Sequence, residues 1–210
     1  SDVVAADKAG MSLGDNYKFY YESDYTGHYE RYYEYEKNRG VNYGPESLDG
    51  NPRFESVCGV VKKILDEKKD VRILDYGCAH GHYVMNLLKR FPGIKLVHGI
   101  DINQSNIDKA KKWSADEKEE RAEFICGTAD FLGIANNLFD YDIVMANEVL
   151  EHVPDPKGLA EKLMAHLAPG GTMLCTVPYG AWEAIGYRQH PGWRAHIHHF
   201  ERADLFEMFG

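Results

Sequence analysis

The chain has 210 residues, 44% hydrophobic and 27% charged, with a formal net charge of −9. That length suits one domain, or one domain with an extension, and no run approaches the roughly 18 apolar residues of a membrane span. The acidic balance counts against an affinity built on neutralising many phosphates, so neither a nucleic acid nor a membrane is the expected partner. Residues 16–37, NYKFYYESDYTGHYERYYEYEK, hold eight of the fourteen tyrosines. They read as an amphipathic helix packed on the body, or as a lid whose rings face a polar, ring-shaped ligand. Residues 38–52 are rich in Gly, Pro and Asn and read as a loop. The chain thus divides into an N-terminal extension with a Tyr-rich lid, 1–52, and a domain over 53–210.

Helical spacing over 54–69 opens the domain. Strands are then expected at 71–77, 95–101, 122–127, 141–147 and 172–178. Helices are expected at 82–90, 103–113 and 156–168, the last closed by the stop signal PGG, and a further helix starts at ERADLFEMF. Strands alternating with helices indicate an α/β fold: a mostly parallel sheet with helices on both faces. Cys58, Cys78, Cys126 and Cys175 form no CxxC pair, which argues against a thiolate zinc site and suits a reducing, cytoplasmic setting.

The turn LDYGCAHGHY after the first strand carries Gly77 and Gly81, where backbone can approach a ligand closely. It lies where open α/β sheets bind ligands. Asp101 ends the second strand, where an acid accepts both hydroxyls of a ribose. The spacing is not GxGxxG, so the dinucleotide fingerprint fits poorly.

Together these segments resemble the class I S-adenosylmethionine (SAM)-dependent methyltransferases, a Rossmann-like fold. ILDYGCAHGHY resembles the first motif, GID the ribose motif, GTADFL the adenine-flanking motif, and FDYDIVMANEVLEHVPDP the fourth motif and its turn. The resemblance spans about 71–178. It implies Asp75 near the methionine amino group, and a cofactor lining of Gly77, Cys78, Gly81, Tyr83 and Asn147. It also implies Asp101 as ribose acceptor, Ile102 beside the adenine, and Ala129 and Asp130 along it. Ala79 stands where the motif usually has a second glycine. His80 and His82 are not typical of it; either could face the cofactor carboxylate or solvent, solvent being the plainer expectation for His80. The family sheet usually closes with two further strands, expected to be absent here. Either the sequence is truncated, or a partner or other segment covers the edge; a homodimer or a fusion to a glycosyltransferase is the expected setting.

In NEVLEHV, a helical turn starting at Asn147 puts Glu148, Glu151 and His152 on one face. They read either as a solvated first turn favoured by the helix dipole or as a divalent metal site. The ExxEH pattern resembles ubiquinone-biosynthesis O-methyltransferases and small-RNA 3′-terminal 2′-O-methyltransferases. In the RNA group a downstream histidine completes the site, which implies His198 in IHHFER as the fourth ligand, with His196 the nearest competitor. Magnesium or manganese is the expected ion. Without a metal, His152 or His198 is the natural general base, with Glu148 beside them.

Three acceptors compete: a vicinal diol on a glycan or nucleotide sugar, an RNA 3′ end, and a catechol or other small natural product. The aromatic extension favours the sugar, since tyrosines stack on sugar faces.

Overall fold

A computed structural model describes residues 47–129, 140–180 and 196–209. The Tyr-rich extension and Asp130 lie outside these residues. The described elements are α1 (Pro52–Glu67), β1 (Val71–Tyr76), α2 (His82–Arg90), β2 (Ile94–Asp101), α3 (Gln104–Glu117), β3 (Ala122–Cys126), β4 (Tyr141–Asn147), a 3₁₀ turn (Leu150–His152), α4 (Pro156–Met164), β5 (Leu167–Thr176) and α5 (Arg202–Phe209). Each helix start follows local chemistry. Asn51 caps α1, accepting from the amides of Arg53 and Phe54, and Pro52 supplies a preset φ. Asn103 caps α3 in the same way, and Asp155 accepts from the Gly158 amide at the start of α4.

The five strands form one sheet in the order β3-β2-β1-β4-β5, and every pairing is parallel. Side chains alternate across β1: Val71 and Ile73 join Val57, Val61, Leu87 and Ile107 on one face, while Leu74 and Tyr76 join Val144, Leu159 and Leu163 on the other. Helices α1, α2 and α3 therefore cover one face, and α4 and α5 the other. The strand order reverses beside β1, between β2 and β4, which opens a crevice at the carboxyl ends of those strands.

One expected boundary is displaced. PGG does not end a helix. α4 stops at Met164, and Tyr141 pairs with Leu167 while Ile143 pairs with Thr172, so Pro169, Gly170 and Gly171 form a bulge inside β5. Gly170 takes φ +78°, a conformation that costs glycine little. The same residues that stop a helix also permit an extra loop in a strand, and the pairing with β4 decides between the two. No helix among the described residues is long and apolar enough to cross a membrane.

Candidate functional site

The carboxyl end of β1 places Asp75, and that of β2 places Asp101; they are 2% and 7% exposed. Burial, aided by the charge of Asp101, pushes the Asp75 carboxyl up to about 8. Burial also raises Asp101, against a restraining set of donors. Its Oδ1 accepts from the Asn103 amide at 2.8 Å and from Asn106 Nδ2 at 3.5 Å, and its Oδ2 accepts from the Ala79 amide at 3.0 Å. The acid is thus clamped between the turn after β1 and the start of α3.

That turn is tightly built. The amides of Gly77 and Cys78 both donate to the Ile100 carbonyl, and Gly77, Ala79 and Gly81 all take positive φ. A Cβ on Gly77 would lie 2.4 Å from Val149 Cγ2, so the turn after β4 packs directly on the turn after β1. Cys78 points inward, its thiol raised by burial and its Sγ beside Gly99. Tyr83 stacks edge-on against Phe54 at 5.4 Å. Ile102, 39% exposed, presents an apolar face just beyond Asp101. Ala129 is held where β3 ends: its amide donates to the Tyr76 hydroxyl at 3.2 Å. His80 does not face solvent; it is 6% exposed.

After β4 the chain does not continue as a regular helix. Glu148 takes φ +55°, and only Leu150–His152 forms a 3₁₀ turn. The shared helical face expected for Glu148, Glu151 and His152 is therefore not formed. Glu148 instead accepts from Thr176 Oγ1 at 3.1 Å and pairs with Arg53 at 3.2 Å. Glu151 is fully buried, and its Oε1 lies 3.8 Å from His152 Nε2. The amides of Ile197 and His198 donate to the Glu151 carbonyl at 2.8 and 3.1 Å. This bond pair fastens the distant segment to the turn and sets the His196 ring 4.6 Å from that of His152. Glu151, His152 and His196 each offer a ligand atom, all within 4.8 Å of one another. Glu148 and His198 are not in that group. His198 turns its ring toward Phe200 and the backbone of Val153 and Pro154; burial lowers its pKa. Two residues apart on an extended segment, His196 and His198 need not share a side, and the bonds to Glu151 select which one turns in. Asn147, at the end of β4, has a side-chain nitrogen and oxygen that are buried and have no hydrogen-bond partner among the described residues.

Arg53, Thr176 and Tyr76, which position Glu148 and Ala129, escaped the sequence reading because their partners are distant in the chain. No local pattern marks them.

The buried acid gives a pH signature. Native Asp75 keeps its proton to about pH 8, whereas in an unfolded chain it ionises near the ordinary value of 3.8. Between these values the native state holds more protons, so stability falls as pH rises. The cofactor-free protein is expected to melt at a lower temperature at pH 8 than at pH 5.5, and Asp75→Asn to flatten that slope. Parallel melting profiles for the two proteins in scanning calorimetry would reject this.

Residues 51–210 match the family described as Methyltransferase domain. The chain is 30% identical over 147 residues to phosphoethanolamine N-methyltransferase 2 of Caenorhabditis elegans, covering 70% of this chain and 31% of that protein. It is 31% identical over 106 residues to ubiquinone biosynthesis O-methyltransferase of Coxiella burnetii, covering 50% and 43%. The matched stretches span less than half the length of these curated relatives. Among solved structures, the plantazolicin methyltransferase BamL, in complex with a triazolic desmethylPZN analog and SAH, superposes with a TM-score of 0.67 at 15% identity, over 92% of this chain and 69% of that one. The YcgJ protein from Bacillus subtilis does so with a TM-score of 0.57 at 19% identity, over 72% and 64%. These structures share the fold seen here, and the matched family spans nearly all the described residues: the chain belongs to the methyltransferase-domain family.

Proposed function

We propose that this domain is a SAM-dependent methyltransferase acting on a hydroxyl group, with one hydroxyl of a sugar vicinal diol as the expected acceptor. The observation that carries the reading is the convergence of Glu151, His152 and His196 at the turn after β4, the turn whose Val149 packs on Gly77 in the turn after β1. The cofactor positions fit. Asp101 offers lone pairs to ribose hydroxyls, Asp75 is a buried acid suited to an ammonium group, and the Asn147 amide offers a donor and an acceptor that the described protein leaves unused. SAM supplies an electrophilic methyl group. The protein's part is to orient the acceptor oxygen and to receive its proton. The rings of His152 and His196 meet edge-on 4.6 Å apart and can take that proton, and the buried Glu151 carboxylate steadies the resulting cation.

A divalent metal is the second element of the proposal. One carboxylate and two imidazoles form a donor set that suits manganese, iron or zinc better than magnesium, and Glu151, His152 and His196 would hold it. Such an ion lowers the pKa of a hydroxyl it binds. The ubiquinone O-methyltransferase relative supports the hydroxyl acceptor. An amine acceptor is the competing reading, favoured by the phosphoethanolamine N-methyltransferase relative, whose match covers 70% of this chain.

Labelled SAM offered with sugars, catechols, RNA 3′ ends and phosphorylated amino alcohols separates these readings. Label is expected in a diol acceptor, to vanish in EDTA and to return with manganese. Label confined to amines overturns the hydroxyl reading, and turnover indifferent to chelation overturns the metal.

A further inference from the structure

The turn after β4 opens on a residue in an uncommon conformation. Glu148 takes φ +55°, and it is not a glycine. The left-handed region disfavours such a residue by a factor of roughly 5–30 in population. Strain of this kind persists only where the surroundings determine it. Here three contacts reach Glu148 from two separate elements. Its amide donates to the Thr176 carbonyl at 2.9 Å, the Thr176 hydroxyl donates to its Oε1 at 3.1 Å, and Arg53 Nη1 lies 3.2 Å from its Oε2. Thr176 ends β5, and Arg53 stands in the first turn of α1. The left-handed step turns the chain. Val149 follows with its Cγ2 packed over Gly77, the His152 amide donates to the Val149 carbonyl at 3.0 Å, and the 3₁₀ turn Leu150–His152 closes. That turn presents the Glu151 carbonyl to the amides of Ile197 and His198, which brings the His196 ring to 4.6 Å from that of His152. A right-handed Glu148 would send the chain on another course and carry the Glu151 carbonyl away from the two amides.

We propose that Arg53 and Thr176 are positioning residues for the His152–His196 pair: by holding the Glu148 side chain they keep its backbone left-handed, and the turn so formed sets the two rings together. Glu148 then works as a conformational latch, and its carboxylate need touch neither acceptor nor metal. The inference rests on the proposed role of His152 and His196. It deepens that reading by making their geometry depend on a residue of α1 and on the end of β5.

The test uses the full chain with isotope-labelled histidines and reads the NOE between the His152 and His196 ring protons, together with the melting temperature. The cross-peak is expected in the wild type. Glu148→Ala removes the carboxylate and keeps the cost of the left-handed step, so the cross-peak is expected to vanish or fall several-fold. Glu148→Gly also removes the carboxylate, but glycine takes a positive φ freely, so the cross-peak is expected to stay near its wild-type intensity. Glu148→Gly is also expected to melt about 2–4 °C above Glu148→Ala. Arg53→Ala combined with Thr176→Val is expected to weaken the cross-peak while Glu148 is present, and to leave it unchanged in the Glu148→Gly background, where no strained residue remains to be held. An intact cross-peak in Glu148→Ala overturns the proposal. So does an equal loss in Glu148→Ala and Glu148→Gly, which marks a carboxylate needed for its own sake. A loss on removing Arg53 and Thr176 that persists in the Glu148→Gly background marks a merely structural role and overturns it too. Should Glu148→Ala fail to fold, the Arg53→Ala and Thr176→Val pair must show the background-dependent loss, or the proposal falls. A wild type without the cross-peak overturns the pairing of the two histidines, and the proposed function loses its support there; the differences among the variants bear on the latch alone.

Discussion

Asp101→Ala is expected to weaken binding of the demethylated cofactor SAH by about two to four orders of magnitude, measured by calorimetry. Two hydroxyl donors to a buried carboxylate contribute on the order of 1.5–3 kcal/mol each, and about 1.4 kcal/mol is a factor of ten. The substitution also removes the acceptor that the Ala79, Asn103 and Asn106 donors share, so the turn after β1 loses its clamp to α3. Asp101→Asn separates these effects. It keeps the volume, but its NH₂ faces either an amide donor or a ribose hydroxyl, and an intermediate loss is expected. Near-normal affinity in Asp101→Ala would refute the assignment of this acid to the ribose.

The second large effect is expected at the corner after β4. His152→Ala and His196→Ala should each lower turnover by about 10²–10⁴, the range for losing a positioned proton acceptor, while leaving SAH affinity within a few-fold of wild type. His198→Ala should cost little turnover by comparison. Its ring packs toward Phe200 and the Val153–Pro154 backbone, so its loss should appear mainly as a lower melting temperature. The ranking is the test. A His198 variant more impaired than the His196 variant would place the working histidine where the sequence pattern put it and would contradict the geometry. The buried carboxylate of Glu151 adds a complementary check. Glu151→Gln preserves shape and removes the charge that steadies a protonated imidazole, so turnover should fall with little change in folding.

The fold was largely legible because its signals are local. Strands such as 71–77 and 141–147 are short apolar runs ending in turn residues, and their pairing partners are dictated by the βαβ order. The PGG segment misled because proline and glycine announce a break without saying what is broken. Its fate depended on the pairing of Tyr141 with Leu167, a contact between separate segments. The site was legible to the same depth. Asp75 and Asp101 sit at strand ends that the topology fixes, so their placement follows from counting. The turn after β4 was harder to read. A left-handed Glu148 cancels the helical register on which the grouping with Glu151 and His152 depended, and nothing in NEVLEHV announces that conformation. The choice between His196 and His198 was set by two amides bonding to one carbonyl across the fold, and such a bond leaves no trace in spacing.

The ion pair between Arg53 and Glu148 has a consequence for the residues that precede the domain. Arg53 lies in the first turn of α1, so this pair fixes the point where the chain enters the sheet domain beside the turn that carries Glu151 and His152. The Tyr-rich stretch ends sixteen residues upstream of that anchor. The eight tyrosines are joined covalently to the domain through that anchor. For an acceptor that binds aromatic rings only weakly, capture near the site becomes an intramolecular event. Cutting the chain at the anchor should then show itself as a weaker apparent affinity for acceptor while cofactor affinity stays the same.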